Sequence, residues 1–372
     1  MGIEDILLHD ETIFRDINAF NPDYMPENYN FRDTQMEAMA MSIRPALQNG
    51  RPSNTLILGS CATGKTTAVK KVFELVERTS NKIFCCYVNC QIHTTRFGIF
   101  SQIHKKIFGH APPETGIPAS KIYEKIMQHL SDENKSLLVA FDDVDYLFQN
   151  NLINKIFYDI LRAYEEFPGA RTGLFAILSE LEFRFVLDKN VDTVFIPQEI
   201  DFPPYTHSEI LNILTDRAKI GFYPEVISDD ILEEITDYSI DAGDLRMGID
   251  LLRVCGNIAE ANASRKIEES HFEEAKSKSA SLKLVETIRS LNNPEKALLK
   301  VISTNERNLN SGPLSKLFAK ETGLSYATFG RALEKLEFLR LVDTKFTGKG
   351  VRGKSRQIIL RFNPEDVNKC LL

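Results

Sequence analysis

The run Asn54-Thr55-Leu56-Ile57-Leu58-Gly59-Ser60-Cys61-Ala62-Thr63-Gly64-Lys65-Thr66-Thr67 constrains the fold more than any other stretch. A short apolar strand leads into G-x-x-x-x-G-K-T. An amphipathic pattern follows from Ala68 to Arg78, with Val69, Val72, Phe73 and Val76 on one face. Strand, glycine loop and helix together are the context a phosphate-binding loop needs. Gly59 and Gly64 let the backbone curl so that successive N–H groups point at phosphate oxygens, and the helix start adds its positive dipole end. Lys65 is then placed for the β- and γ-phosphates and the Thr66 hydroxyl for Mg²⁺. The expected nucleotide contacts are Gly59, Ser60, Cys61, Ala62, Thr63, Gly64, Lys65, Thr66 and Thr67, and the expected cofactors are ATP or ADP with Mg²⁺. The plain alternative is a glycine turn that happens to match.

The 372 residues allow two or three domains, and 43% apolar with 26% charged content is ordinary for a globular protein. No apolar run is long enough for a membrane span, and Met1-Gly2-Ile3-Glu4-Asp5 lacks the layout of a secretory signal. Six scattered cysteines without a C-x-x-C pair argue against zinc or a disulfide framework and for thiols in a reducing cytoplasm. The expected location is cytoplasmic and nucleoid-associated, with no membrane partner. Net charge is −7, but residues 283–372 hold 17 basic and 9 acidic side chains, so the tail is +8 and the body −15. A basic module on an acidic body fits a polyanion partner; an ordinary solvated basic surface is the alternative.

Apolar runs at 55–58, 83–88, 137–141, 173–178 and 193–196 read as strands, separated by helix patterns such as 96–108, 121–130 and 152–166. A further helix pattern covers 32–48, and the Pro/Gly-rich stretch 109–120 reads as a loop. That alternation predicts a parallel α/β sheet. After Phe202-Pro203-Pro204-Tyr205 only helices are expected, at 207–220, 229–238, 244–262 and 271–290. Capping boxes are read at Thr206/Glu209 and Ser270/Glu273. Asn293, before Pro294, reads as the cap that opens a third domain. Helices at 294–303, 313–322 and 326–339 precede strands at 341–346 and 357–362, an order that fits a winged helix. The expected domains are 1–203, an α/β nucleotide-binding base; 204–285, a helical lid; and 286–372, a winged helix.

Three further groups of residues carry chemistry. Leu137 to Phe141 is a buried-strand pattern ending in Asp142 and Asp143, which places Asp142 near Mg²⁺ and Asp143 near an attacking water. Arg246 sits in the first turn of a helix, where the dipole disfavours a cation, which invites an outside anion; Asp244 or a solvated surface are the alternatives. Lys345, Lys349, Arg352, Lys354, Arg356 and Arg361 line one ribbon with no acidic residue between 345 and 361. Thr328, Arg331 and Lys335 share a face of the helix before it. Like charges so arranged repel unless a polyanion neutralises them, and duplex DNA is the expected partner.

These residues together resemble the archaeal replication initiators of the origin-recognition and cell-division-control type, within the AAA+ ATPases. Gly59–Thr67 and Phe141–Asp145 resemble that family's two Walker elements, and Gly243-Asp244-Leu245-Arg246 with Asp250-Leu251-Leu252-Arg253 its second-sensor segment. Pro22-Asp23-Tyr24-Met25-Pro26 with Arg32 is similar to its adenine-side entry, and Phe202–Thr206 with Arg217-Ala218 and Gly221-Phe222 to its lid. The resemblance implies nucleotide contacts from Tyr24, Arg32, Tyr205 and Arg217. It implies that Arg246 couples nucleotide to lid and that Arg96, Lys105 and Lys106 are candidates to press against DNA. It also implies origin duplex DNA, a replicative helicase of the minichromosome maintenance type, and the protein itself or a paralogue on DNA as partners.

Three departures stand out. Asp143 replaces the usual glutamate, Ser179 in Ile177-Leu178-Ser179-Glu180 replaces the first-sensor asparagine, and Asn190 falls where an arginine is expected to reach a neighbour's nucleotide. Water orientation and transition-state charge stabilisation both weaken, so tight nucleotide binding with slow hydrolysis is expected. A nucleotide-gated transcription regulator and a clamp-loader-like ATPase remain as alternatives from other functional classes.

Overall fold

The computed structural model describes residues 12–27, 29–113, 116–148, 152–178, 187–305, 309–339, 341–346, 356–362 and 364–371. The chain divides into two compact units, Met1–Arg253 and Val254–Leu372.

In the first unit the elements run α1 (Asp33–Leu47), β1 (Thr55–Leu58), α2 (Lys65–Thr79), β2 (Ile83–Asn89), α3 (Arg96–Phe108), α4 (Ala119–Asp132) and β3 (Ser136–Asp142). Next come α5 (Leu152–Leu161), α6 (Ala163–Glu166), β4 (Arg171–Leu178), α7 (Lys189–Phe195) and β5 (Gln198–Asp201). The five strands pair in parallel in the order β2-β3-β4-β1-β5. Every residue of β1 and β3 is buried, as a parallel sheet covered on both faces requires. One face packs Phe100, Ile103, Ile126 and Phe157 from α3, α4 and α5; the other packs Met39, Ile43, Val69 and Phe73 from α1 and α2. Because β4 lies between β1 and β3, the loop after Leu58 and the carboxylate of Asp142 emerge at the same end of the sheet, flanking a crevice.

Two expectations fail here. Residues 193–196 are not a strand: the β-branched run belongs to α7, which buries Val191 and Phe195 four residues apart, one helical turn. The strand follows at 198–201, where only Ile200 is buried, so an edge position hid it behind polar residues. The 152–166 helix breaks at Arg162, because the Thr172 hydroxyl donates to Ile160 O and takes a carbonyl that a continuous helix would use.

Past β5 the chain turns helical. Thr206 and Glu209 form the expected capping box of α8 (His207–Gly221), with Thr206 N–H donating to Glu209 Oε2 at 2.7 Å. Ser228 caps α9 (Asp229–Ala242), which Gly243 ends at φ +69°, and α10 (Leu245–Ala261) follows. Residues 12–24 lie along α8. Phe14, Phe20 and Phe222 form an aromatic cluster with centroids 4.7–6.0 Å apart, and a Cβ on Gly221 would strike the Phe20 ring.

The second unit contains α11 (Glu269–Ser290), α12 (Asn293–Thr304), β6 (Leu309–Asn310), α13 (Ser311–Thr322), α14 (Tyr326–Phe338), β7 (Val342–Phe346), β8 (Arg356–Leu360) and α15 (Pro364–Leu371). Its strands pair antiparallel in the order β6-β8-β7 against a core that includes Leu298, Phe318, Phe329 and Leu336. Two caps move from their expected places. Glu268 with His271 caps α11, leaving Ser270 and Glu273 inside the helix, and Asn292 with Glu295 caps α12 with Pro294 in its first turn. No helix among the described residues is long and apolar enough to cross a membrane.

Candidate functional site

The phosphate loop owes its shape to left-handed backbone at Ala62 (φ +59°) and Gly64 (φ +90°), the second serving as N-cap of α2. The Thr63 hydroxyl donates to Ser60 O at 2.9 Å and closes the turn. At Gly64 a Cβ would collide with the hydroxyls of Tyr29 and Tyr205, so glycine is needed for space as well as for φ. Tyr29 donates to Gly64 O at 2.6 Å. Arg32, 2% exposed, donates from Nε to Thr63 O at 3.0 Å and from its two terminal nitrogens to Phe31 O and Pro203 O. Its guanidinium lies 3.8 Å from the Tyr205 ring centroid. Arg32 and Tyr205 therefore brace the loop from behind.

Lys65 is buried, and its ammonium donates to Gly59 O at 2.6 Å and Ser60 O at 2.7 Å. Burial pushes its pKa below the usual lysine value, while Cys61, Asp142 and Asp143 pull it back up. The Thr66 hydroxyl donates to Asp142 Oδ2 at 2.6 Å, joining the start of α2 to the end of β3. The Tyr87 hydroxyl donates to the same oxygen at 2.7 Å, and Asp143 N–H to Oδ1 at 3.1 Å. Asp143 follows in the left-handed region (φ +53°), a conformation aspartate tolerates better than most residues. Its pKa is raised by burial first, then by the carboxylates of Asp142 and Asp145; Lys65 and Arg246 oppose this. Arg246 bonds to Asp244 Oδ1 at 3.3 Å and interacts electrostatically with Cys61, so a helix past the sheet brings a cation toward the phosphate loop.

Other expected residues sit elsewhere. Arg217 donates to Ala19 O at 2.8 Å and Tyr24 O at 3.4 Å and lies 4.4 Å from the Tyr24 ring centroid, so this pair fastens residues 19–24 to α8. Arg96 is paired with Asp159 at 2.7 Å and Lys106 with Glu77 at 2.8 Å, while Lys105 is exposed. Asn190 is exposed in the first turn of α7. Ser179, Lys349, Arg352 and Lys354 lie outside the described residues. On α14, Arg331 and Lys335 are exposed opposite buried Phe329, Leu333 and Leu336, while Thr328 is half-buried and its hydroxyl sits 3.1 Å from that of the cap residue Ser325. Arg356 faces Glu337 at 3.5 Å, and Arg361 meets Asp343 at 2.9 Å. The sequence argument counted acids only within the ribbon; α14 and β7 supply counter-charges for two of its six cations.

Proteins of known kind match this chain over nearly its whole length. The chain is 61% identical over 368 residues to "ORC1-type DNA replication protein 2" of Methanothermobacter thermautotrophicus, covering 99% of this chain and 97% of the relative. The Methanosarcina acetivorans protein of the same name is 43% identical, with 99% and 98% covered. The chain belongs to the ORC1-type DNA replication proteins. Within it, residues 211–277 match the Cdc6 AAA+ ATPase-type lid domain. Among solved structures, the Aeropyrum pernix ORC1 protein in complex with DNA superposes with TM-score 0.74 at 26% identity, covering 97% of both chains. The ADPNP–ADP complexes of the Aeropyrum pernix ORC2 protein share the fold at TM-score 0.64 and 24% identity, over 96% of this chain and 97% of that one.

In this ORC1-type chain, motif reading missed two tyrosines. Tyr29 sits between the entry segment and Arg32, with nothing in its neighbours to mark it. Tyr87 carried a usable signal: a polar-tipped aromatic in the strand pattern Ile83–Val88, on the strand that pairs in register with the one ending at Asp142. Because the folded chain holds the Asp143 proton more tightly than the unfolded chain, the ionised carboxylate costs stability above the shifted pKa. That cost disappears once the pH falls below the ordinary carboxylate range. Asp143→Asn, which keeps the shape and tolerates φ > 0, should raise the Tm of ligand-free protein at pH 7. The gap over wild type should close toward about pH 4, and a gap independent of pH would contradict the burial and repulsion assigned to this group.

Proposed function

We propose that this ORC1-type protein is an ATP-gated initiator that binds origin duplex DNA and helps to recruit or load the replicative helicase. The reading divides the chain into a nucleotide-binding base at 1–203, a lid at 204–285 and a winged helix at 286–372. The observation that carries it is the Thr66 hydroxyl resting 2.6 Å from Asp142 Oδ2 at the mouth of a phosphate loop. Hydroxyl and carboxylate oxygens are the hard donors Mg²⁺ takes when phosphates and water complete its shell. No cluster of three or more metal-ligating side chains occurs among the described residues, so an all-protein cage is not the alternative there. When bound at Thr66 and Asp142, Mg²⁺ would neutralise charge that develops on the phosphate oxygens.

The chain's own groups have these roles. The Lys65 ammonium, held on Gly59 O and Ser60 O, would turn to the phosphates. The N–H groups of residues 60–66 would donate to the phosphate oxygens, and Thr66 and Asp142 would hold the metal. Asp143 orients the water with an arm one methylene shorter than glutamate. With Ser179 and Asn190 at the other two departures, hydrolysis is slow. Arg246, already beside Cys61, senses the terminal phosphate and carries nucleotide state into α10. On the basic module, Arg331 and Lys335 with Lys349, Arg352 and Lys354 neutralise DNA phosphates, and α14 enters the major groove.

Titration with a fluorescent ATP analogue in Mg²⁺ tests the nucleotide half. Lys65→Ala should weaken binding about 10- to 100-fold, the usual cost of a lost charged contact; unchanged affinity would sink the reading. Steady-state turnover on duplex should stay below about 1 s⁻¹, under the usual enzyme range, and a rate well above that would remove the slow-switch assignment. For the DNA half, log affinity plotted against log salt should lose about two units of slope in the Thr328→Ala/Arg331→Ala/Lys335→Ala protein, roughly one per lost phosphate contact. An unaltered slope would take α14 off the DNA.

A further inference from the structure

Tyr87 lies outside every nucleotide motif, yet its hydroxyl bonds to the carboxylate on which the metal reading depends. The sheet puts it there. Tyr87 pairs with Ala140 in the parallel β2–β3 ladder, so it shares a face with Asp142 two residues further on, within reach of a long side chain. Its hydroxyl donates to Asp142 Oδ2 at 2.7 Å, the oxygen that also accepts from Thr66 at 2.6 Å. Asp142 is 5% exposed, so water contributes little to holding it. Lys70 Nζ lies 4.5 Å from the Tyr87 ring centroid and fixes the ring from the α2 side. The carboxylate is thus gripped by one donor from α2, one from β2 and the Asp143 N–H.

We propose that Tyr87 is a positioning residue for the metal-binding carboxylate, an inference that rests on the ATP–Mg²⁺ reading above. The Thr66 oxygen must turn a lone pair to the metal, and the chain reverses sharply at Asp143, where φ is +53°. In that arrangement the phenol is, among the described residues, the one side-chain donor to Asp142 that does not itself touch the metal. It keeps Oδ2 aimed at the Thr66 side of the crevice whether or not nucleotide is present. Groups of this kind commonly change metal affinity 10- to 100-fold when removed.

The test is a Mg²⁺ titration of nucleotide affinity, read by a fluorescent ADP analogue, in wild type and in Tyr87→Phe, which keeps the ring and its Lys70 contact. Tyr87→Phe should raise the Mg²⁺ concentration at half-effect about tenfold or more while leaving affinity in EDTA within about twofold of wild type. An unmoved midpoint would overturn the proposal. So would an equal loss in EDTA, which would mean that the hydroxyl supports the loop as a whole. If wild-type affinity itself ignored Mg²⁺, the metal reading would fall first and this inference with it; a Mg²⁺-dependent wild type with an unmoved variant defeats the inference alone.

Discussion

A buried guanidinium without a carboxylate among the described residues sets the terms for the rest of the nucleotide site. Arg32 is 2% exposed, and removing such a charge from water costs several kcal/mol unless its donors are met. They are met by carbonyls of Phe31, Thr63 and Pro203, with the Tyr205 ring against its face. Those oxygens come from the entry segment, the phosphate loop and the exit from the sheet. Leaving any one unpaired would strand a buried polar group, so the three segments are held as a set. The strained left-handed Ala62 persists inside that frame.

The same logic extends outward in two directions. Toward the helices, Arg217 ties residues 19 and 24 to α8, and Phe14 and Phe20 pack on Phe222, so the entry segment that braces the loop is also anchored to the lid side. Toward the sheet, Thr66 and Tyr87 fix Asp142, and the parallel strands bring that carboxylate and the phosphate loop to the same end of the sheet. Lys65 donates to Gly59 O and Ser60 O within the same frame.

Elements whose burial is uniform were legible from the sequence. The apolar runs of β1, β3 and β4 and the capping box of α8 read directly, because burial and local hydrogen bonding write themselves into residue type. The edge strand β5 did not, since with one buried residue in four it looks like loop, while the β-branched run before it looks like strand. At the site, the phosphate loop and Asp142–Asp143 were visible because backbone conformation and metal chemistry restrict residue choice. Arg32 and Tyr205 were found only through family resemblance, which implied nucleotide contacts; Arg32 bonds to the protein's own carbonyls, with the Tyr205 ring against its guanidinium. Tyr29, Tyr87 and the counter-charges Glu337 and Asp343 depend on which distant segments meet, and no local pattern encodes that.

If Arg246 carries nucleotide state as proposed, loop and lid should respond to nucleotide as one site. Amide hydrogen exchange with and without Mg²⁺–ATP tests it most directly. The account predicts slower exchange both at residues 60–66 and at Leu245–Met247, where Arg246 would leave Asp244 for phosphate. Protection of the loop with no change at 245–247 would contradict it.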